Sequence, residues 1–369
     1  MFGFSTFYSG LFIILIMCML AFKCLSTCRG DDRLFFKIIC VVLLILAACR
    51  GESVGGDLDN YLPHFDMVKS MTSFTEIVNV SGYEPGYCLL VHVIGRIIPS
   101  ERFFLIITSV LSLLGPFYVV KKYSRIPYIS LLLYIAFGFY TNTFNNVRQA
   151  LAISIILFSV PYILDRKFFK FIIIVLLAST FHLSAIFFPI VYVAYSFRIT
   201  NIRFLFFVFV VPVFVFLFGN VIIDALISIF FTKYDVFDRE AIETLSSGSG
   251  YSLLAFYIIV AVISYIWYVK TYGAKSRVAH LLMWCMMLSV CVQSSATVMA
   301  TLTRLTHYFF IFVILFAPLI LSTMNKSYRS FYATTIVIVA YLYFMVLIMK
   351  IDLSVGTNSQ AVVPYIFLN

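Results

Sequence analysis

The sequence predicts an all-α polytopic membrane protein, and three observations support that prediction. Of the 369 residues, 63% are hydrophobic and only 11% are charged, and the mean hydropathy is +1.04. A soluble domain cannot bury so much apolar surface. Apolar runs near membrane-spanning length recur along the chain, and short basic loops separate them. We therefore expect residues 1–369 to form a single integral membrane domain.

The apolar runs predict about twelve transmembrane helices, taken here in chain order. They lie near residues 7–22, 34–49, 103–120, 128–140, 147–164, 168–180, 183–197, 204–222, 253–268, 278–298, 305–321 and 331–349. The first run has neither a basic start nor a small-residue cleavage site. We therefore expect it to be a retained span and not a signal peptide.

The basic loops predict the orientation of these spans. Lys and Arg are concentrated in residues 24–33, 121–125, 165–167, 198–203, 270–277 and 325–329. The positive-inside rule places such loops in the cytoplasm, so residues 50–82 and 223–251 become the large outer loops. Apolar residues 83–98 then begin on the outer side of the membrane, whereas Lys121 lies on the inner side. Only one membrane crossing fits between these two points. We expect a short re-entrant or tucked helix there. The net charge of +10 lies in the loops and does not indicate a nucleic-acid partner.

Most polar residues that lie outside the basic loops fall on the predicted outer side. They are Asp57, Asp59, Tyr61, Glu84, Asn145, Arg148, Gln149, His182, Arg304 and His307. A charged side chain among apolar spans is costly unless it faces a wet cavity or a partner. Their concentration on one side therefore predicts a site that opens outward, and Arg148 and Arg304 are its strongest indicators.

The two arginines have the chemistry of phosphate binding. Asn145, Arg148 and Gln149 have i, i+3, i+4 spacing, so a helix beginning at about Asn145 carries them on one face. A guanidinium at a helix start can bind phosphate oxygens in bidentate fashion. Arg304 and His307 likewise share a face. The alternatives are an interfacial Arg148 that reaches lipid headgroups and a His307 that is hydrogen-bonded at a helix interface.

Four residues are candidate proton acceptors, and the sequence leaves the choice among them open. Asp57 and Asp59 follow two glycines and lie either in a solvated turn or in a site, where a carboxylate can deprotonate a sugar hydroxyl. Glu84 directly precedes a helix start at Pro85, so it either caps that helix or acts as a base. His182 lies in a tight apolar turn, and imidazoles exchange protons near neutral pH.

At these residues the chain resembles the EpsG-type, Wzy-like polysaccharide polymerases. The pieces that match are Asp57-x-Asp59-x-Tyr61, Glu84-Pro85-Gly86-Tyr87, Asn145-x-x-Arg148-Gln149-x-Leu151-Ala152, Ser179-x-Phe181-His182-x-Ser184-Ala185, Arg304-x-x-x-Tyr308-Phe309 and Val363-Pro364-Tyr365. Their order along the chain also matches. The family commonly has a basic residue after the histidine, where this chain has Leu183.

The resemblance implies a membrane glycosyltransferase whose fold resembles the C-type glycosyltransferases. Such enzymes polymerise O-antigen or exopolysaccharide repeat units on the periplasmic face of the bacterial inner membrane. The growing glycan leaves undecaprenyl diphosphate and joins the sugar end of a new lipid-linked unit. No cofactor, metal or nucleic acid is implied. The partners are the undecaprenyl-diphosphate-linked oligosaccharide and membrane lipid, and a chain-length regulator protein is left open.

On this hypothesis Arg148 and Arg304 bind the diphosphate, and Asn145 and Gln149 orient it. His307 and Tyr61 are further substrate-binding candidates. Three alternatives remain. The first is an O-antigen ligase, which uses the same donor. The second is a flippase or transporter, which needs a polar path that the inner halves of the spans do not offer. The third is a membrane acyltransferase, which relies on a histidine where its acyl donor binds.

Overall fold

The structure, a computed structural model, describes residues 16–21, 23, 32–51, 54–230, 249–271, 276–298, 302–344, 351–352 and 357–358. Within them the chain is helical, apart from loops and one antiparallel pair of two-residue strands, β1 (Ile351–Asp352) and β2 (Thr357–Asn358). The all-α prediction is therefore confirmed. The chain forms two compact units, Met1–Ile186 with Ala317–Asn369, and Phe187–Phe316. Each is described by itself.

The helices before the unit boundary at Ile186 are α1 (Asp32–Ala48), α2 (Leu58–Ser70), α3 (Phe74–Ser81), α4 (Pro85–Ile97), α5 (Glu101–Tyr123), α6 (Pro127–Ala136), α7 (Phe139–Asn145), α8 (Val147–Leu157), α9 (Val160–Leu164) and α10 (Phe168–Ser179). A 3-10 helix, Leu183–Phe187, crosses the boundary. The helices that follow in the chain are α11 (Pro189–Ala194), α12 (Asn201–Leu205), a π-helical turn (Phe206–Val210), α13 (Val211–Phe230), α14 (Ser249–Thr271), α15 (Arg277–Ser295), α16 (Thr303–Phe310), α17 (Val313–Ser322) and α18 (Lys326–Tyr343). The second unit ends at Phe316 within α17, so α18 belongs to the first unit.

Five helical stretches of the described chain are long and apolar enough to cross a membrane. They are Glu101–Tyr123, Asn201–Gly219, Gly250–Thr271, Arg277–Ser295 and Thr303–Ser322. Each coincides with a predicted span, which confirms a membrane protein. The count of about twelve spans and the C-type glycosyltransferase fold stay predictions. Of the first predicted span, only residues 16–21 are described, and they are helical.

Several other predicted spans are interrupted, and the interruptions have local causes. The span predicted at 128–140 divides at Gly138, whose φ of 78° is left-handed and favours glycine. The span predicted at 147–164 divides after Leu157, close to Pro161, which has no N–H to continue the hydrogen-bond ladder. The pair predicted at 168–197 forms the 12-residue α10, the 3-10 helix and the six-residue α11.

The segment predicted to be tucked forms the short helix α4. Its 13 residues rise about 20 Å, less than the roughly 30 Å of a hydrocarbon core. Leu89, Val93 and Ile97 are exposed at a spacing of four residues, and the opposite face is buried. An exposed apolar stripe along a short helix suits a helix that lies against lipid without spanning it, and its course through the membrane stays a prediction.

The predicted outer loop 50–82 is largely folded into two helices, α2 and α3. Side chains of α2 pack against α4 and the start of α5, which makes α2 part of the core of the first unit. The buried set includes Leu58, Leu62, Phe65, Val68, Val91, Ile94 and Phe104. Of the other outer loop, residues 231–248 lie outside the described residues, as does the terminal motif 363–365.

Helix α8 packs closely on α5, and this contact places the start of α8. A Cβ added at Gly115 would lie 2.2 Å from the carbonyl oxygen of Ser154, so the two backbones approach at a glycine. The Gly115 N–H donates to Ser154 Oγ at 2.9 Å, and that hydroxyl donates to the Leu111 carbonyl at 2.5 Å. Helix α10 packs against α8 as well. Arg148 is the second residue of α8, so this packing fixes its position within the first unit, where its side chain is half-buried.

Candidate functional site

Three side chains from separate motifs meet in the first unit. One carboxylate oxygen of Glu84, Oε2, lies 2.5 Å from Nη1 of Arg148. The other, Oε1, lies 3.2 Å from Nδ1 of His182 and accepts the N–H of Leu183 at 3.1 Å. The exposed fractions of the side chains are 18% for Glu84, 23% for Arg148 and 22% for His182, so all three are partly open to solvent. We call Glu84, Arg148 and His182 the polar triad.

A backbone joint holds His182 beside Glu84. The turn that carries His182 follows α10, and the Thr180 carbonyl in that turn accepts the N–H groups of Gly86 and Tyr87 at 2.8 and 3.3 Å. These donors belong to the first turn of α4, where they have no partner within the helix. A Cβ at Gly86 would lie 2.2 Å from Thr180 Oγ1 and 2.8 Å from the carbonyl. Glycine is therefore required for the α10 turn to come this close.

Glu84 is an ionised hydrogen-bond acceptor. Burial alone would raise its pKa, but the hydrogen bond from His182, the charge of Arg148 and the N–H of Leu183 outweigh burial and lower the pKa to about 2. Both oxygens of the carboxylate are engaged. Since an ionised carboxylate only accepts, Nδ1 of His182 carries the proton and donates it. When the ring carries only this proton, its lone pair is on Nε2.

Four aromatic rings adjoin the triad, and we call them the aromatic cluster: Tyr61, His64, Tyr83 and Tyr87. The Arg148 guanidinium lies over the Tyr83 ring, 4.3 Å from its centroid, and hydrogen-bonds to Tyr61. His64 packs edge-on against Tyr83, with centroids 4.6 Å apart, and stacks on Tyr87 at 5.6 Å. Burial, assisted by the charge of Arg148, lowers the pKa of His64 to about 4, so His64 is neutral.

Tyr61 was predicted from the sequence, but His64 was missed. The pattern that could have identified His64 is its i, i+3 spacing from Tyr61, which places both side chains on one face of α2. The segment was expected to be a loop, so a helical spacing was not sought there. Tyr61 is 4% exposed, and burial raises its pKa, partly offset by Arg148.

The two predicted aspartates lie at the start of α2. Asp57 is half-buried, precedes the helix without capping it, and adds to the raised pKa of Tyr61 through its charge. Asp59 is exposed in the first turn. Among the described residues, no three His, Cys, Asp or Glu side chains cluster closely enough to hold a metal ion.

Asn145 and Gln149 are placed differently from the prediction. The expected helix beginning at Asn145 is wrong: Asn145 ends α7, Asn146 leaves the helical conformation, and α8 begins at Val147. Asn145 is 9% exposed, and its Oδ1 accepts the Gly56 N–H at 2.6 Å, so it fixes the loop before α2. Gln149 is 2% exposed. Both side chains are therefore buried, and their proposed role in orienting the diphosphate stays a prediction.

Arg304 and His307 belong to the second unit. They are on α16, where Arg304 is exposed and His307 is half-buried. Thr306, between them, donates from Oγ1 to Oε1 of Gln293 on α15 at 3.2 Å, which ties the two helices together. The predicted meeting of Arg304 with Arg148 stays a prediction.

A further buried cation, Arg50, was not singled out by the sequence. It is 1% exposed, and its Nη1 donates to the Ala47 carbonyl at 2.5 Å and to Ser109 Oγ at 2.8 Å. The guanidinium also lies 5.2 Å from the centroid of the Phe144 ring. Its position directly after an apolar run looked like a span boundary, which concealed its interior location.

Comparison with known proteins decides the family. The sequence model of the EpsG family matches residues 33–367, nearly the whole chain. The chain belongs to the EpsG family. This EpsG protein is also 26% identical over 151 residues to the amylovoran biosynthesis protein AmsC of Erwinia amylovora, a match that covers 40% of each chain. The chain therefore matches less than half the length of that relative. No solved structure gives a significant match.

Proposed function

We propose that this EpsG protein polymerises lipid-linked oligosaccharide repeat units. It transfers the growing glycan from undecaprenyl diphosphate to the sugar end of a new lipid-linked unit. The observation that supports this most directly is the polar triad, in which a carboxylate joins a phosphate-binding guanidinium to an imidazole suited to accept a proton.

The proposed step is a substitution at the anomeric carbon of the first sugar of the growing chain. A hydroxyl oxygen of the acceptor sugar attacks that carbon. The bond from the carbon to the diphosphate oxygen breaks, and undecaprenyl diphosphate leaves with the electron pair. The hydroxyl proton passes to Nε2 of His182. Atoms and charge balance without a cofactor.

Each member of the triad has a distinct proposed role. His182 is the general base, because its Nδ1 is committed to Glu84 and its lone pair lies on Nε2. Glu84 is a positioning residue, because both of its oxygens are engaged. Arg148 stabilises the charge that develops on the leaving diphosphate, a contribution of about 3 kcal/mol for one preorganised donor. Arg304, on the second unit, is the proposed second cation.

The remaining candidates support this site. We propose that Tyr61 and His307 contact substrate and that Asn145 and Gln149 act through the packing of α7 and α8. Asp57 and Asp59 are less favoured as the base, because the imidazole of His182 is already oriented by its hydrogen bond to Glu84. The proposed site faces the periplasm from the bacterial inner membrane. The further partners are membrane lipid and, where chain length is controlled, a regulator protein.

The experiment uses full-length purified protein with lipid-linked single repeat units from cells lacking this chain. We expect a ladder of glycans on the lipid carrier. His182→Asn should lower the rate by roughly 10²–10⁴-fold, the usual contribution of a general base. Transfer to lipid A–core without a ladder would identify a ligase, and transport without new bonds would identify a flippase.

A matched control is Asp66→Asn. Asp66 also forms a carboxylate–cation pair, with Lys69 at 2.5 Å, but it is exposed. This variant should polymerise at the normal rate. A normal ladder from His182→Asn, at a normal level of protein, would refute the base assignment.

A further inference from the structure

We propose that the aromatic cluster is a binding subsite for a neutral sugar ring of the acceptor, with the imidazole of His64 as its central hydrogen-bonding group. This inference rests on the proposed function, since it names where the acceptor is held. It adds a residue, His64, and a ligand contact that the triad does not supply.

The first argument is the concentration of buried polar atoms that lack partners. Within the described residues, both ring nitrogens of His64, the hydroxyl of Tyr87 and Nε of Arg148 are buried without a hydrogen-bond partner. His64 is 7% exposed, and Tyr87 is fully buried. Folded proteins pair almost all such atoms because an unpaired one keeps its desolvation penalty. Four such atoms close together indicate hydrogen-bonding groups that find their partners only when a ligand is bound.

The second argument is chemical. A neutral imidazole offers one donor and one acceptor, a phenol offers both, and the Arg148 Nε–H offers a donor. Together with the ring faces of Tyr61 and Tyr83, these groups match the hydroxyls and the C–H face of a sugar ring. An anion fits these groups less well, because the unpaired imidazole of His64 and the unpaired phenol of Tyr87 are both neutral.

The third argument is position. Tyr83 directly precedes Glu84, and Arg148 contacts both the Tyr83 ring and the Glu84 carboxylate. A sugar bound in the cluster is therefore next to the triad. Tyr83 is half-buried and packs edge-on against His64, so it forms the cover of the subsite. The ligand reaches His64 when the Tyr83 ring turns aside.

The test removes the polar atoms and keeps the rings, with His64→Phe and Tyr87→Phe in the full-length protein. The probe is the single repeat-unit oligosaccharide, released from its lipid by mild acid. We expect both variants to have a higher Tm without the probe, because unpaired buried atoms are gone. We expect the KM for the acceptor to rise tenfold or more, with the KM for the donor near that of the wild type.

Ser159→Ala is the matched control. Ser159 lies between α8 and α9, is fully buried, and its hydroxyl also lacks a partner within the described chain. Its removal should leave the acceptor KM unchanged, which separates a general effect of such atoms from the proposed subsite.

Two results would overturn the proposal. One is an unchanged acceptor KM in an active His64→Phe enzyme. The other is a lower Tm for that variant without the probe, which is expected if an internal water satisfies the imidazole. Failure of the proposed function can be told apart from failure of the subsite. If the wild type does not polymerise, the subsite is still supported when the oligosaccharide raises the Tm of the wild type but not that of His64→Phe. If the oligosaccharide does not raise the Tm of the wild type, the subsite is refuted.

Discussion

Glu84 binds Arg148 with one carboxylate oxygen and His182 with the other, across 64 and 98 positions of sequence. The sequence predicted all three residues as site members, because each is a polar residue set among apolar runs. It could not predict that they are partners, since local spacing contains no information on contacts between distant helices. Glu84 and Arg148 were therefore predicted to act separately, as a base and as a phosphate ligand.

The depressed pKa of Glu84 predicts how stability depends on pH. The pKa falls from 4.5 to about 2 in the folded protein. Because the folded value is the lower one, the stabilisation is fully present above about pH 4.5 and is lost as the pH falls toward 2. One pKa unit corresponds to 1.36 kcal/mol, so the contribution is on the order of 3 kcal/mol. Thermal unfolding in detergent should show Glu84→Gln less stable than the wild type at pH 6, with the difference shrinking in acid.

The control for this measurement is again Asp66→Asn, whose pair with Lys69 is exposed to solvent. Exposed pairs contribute little, so its stability should follow the wild type at each pH. A constant difference between Glu84→Gln and the wild type from pH 6 to pH 3 would contradict the assigned pKa.

Replacing Arg148 with lysine tests the proposed leaving-group contact. Lysine keeps the charge but not the planar, multiply donating guanidinium that lies over Tyr83 and binds Glu84. We expect kcat for polymerisation to fall by about 10²–10³-fold, as on removal of one preorganised donor. A protein with normal Tm and normal kcat would exclude this role for Arg148.

At the scale of elements, α4 and the turn after α10 form one structural joint. The Thr180 carbonyl accepts two N–H groups from the first turn of α4, and Gly86 makes room for it. The sequence predicted both segments, including the start of α4 at Pro85, from helix-start residues. It did not predict the joint, because the clearance around a glycine is a property of the fold.

Gly86→Ala should disrupt this joint. The new Cβ would lie within 2.8 Å of both the side chain and the carbonyl of Thr180, and such overpacking typically costs about 1–3 kcal/mol. We expect a lower Tm and at least a tenfold lower polymerisation rate, because His182 moves away from Glu84. Both are measured on the purified protein.

Thr180→Ala provides the comparison for Gly86→Ala. It keeps the carbonyl that accepts from Gly86 and removes only the hydroxyl, which donates to the Leu177 carbonyl within its own turn. Activity should stay near that of the wild type. If Gly86→Ala behaves like Thr180→Ala, the joint has no role in placing His182.

Sequence periodicity predicted the long helices well and the broken ones poorly. The span at Glu101–Tyr123 was predicted to within a few residues, because a continuous apolar run leaves no alternative. The breaks at Gly138 and near Pro161 were not predicted, since one glycine or proline within an apolar run is also compatible with a kinked span. Helix α2 was missed because its polar face resembles a loop.

For the whole molecule, the orientation of α5 is the decisive topological prediction. Its 23 residues rise about 34 Å, enough to cross a bilayer, and the positive-inside rule predicts that Lys121 and Lys122 lie at its cytoplasmic end. In a background without native cysteines, Ser100→Cys should react with an impermeant thiol reagent from the periplasm. Ser124→Cys should react only from the cytoplasm.

Labelling of the Ser100→Cys protein from the cytoplasm would show that α4 crosses the membrane and would reverse the orientation of α5. Labelling of both positions from one side would show that α5 does not span.

Composition was sufficient to predict the membrane class, because it depends only on how much apolar surface a chain must hide. The division into two units was not predicted, since no change of composition marks Ile186.

The shared carboxylate of Glu84 also sets an order of events in the proposed reaction. In that reaction an incoming diphosphate competes with Glu84 for Arg148, because Nη1 of Arg148 is already paired with Oε2 of the carboxylate. A donor that draws the guanidinium away leaves the carboxylate with His182 and the Leu183 N–H as its remaining partners. Donor binding and the orientation of the base are thereby coupled through a single side chain.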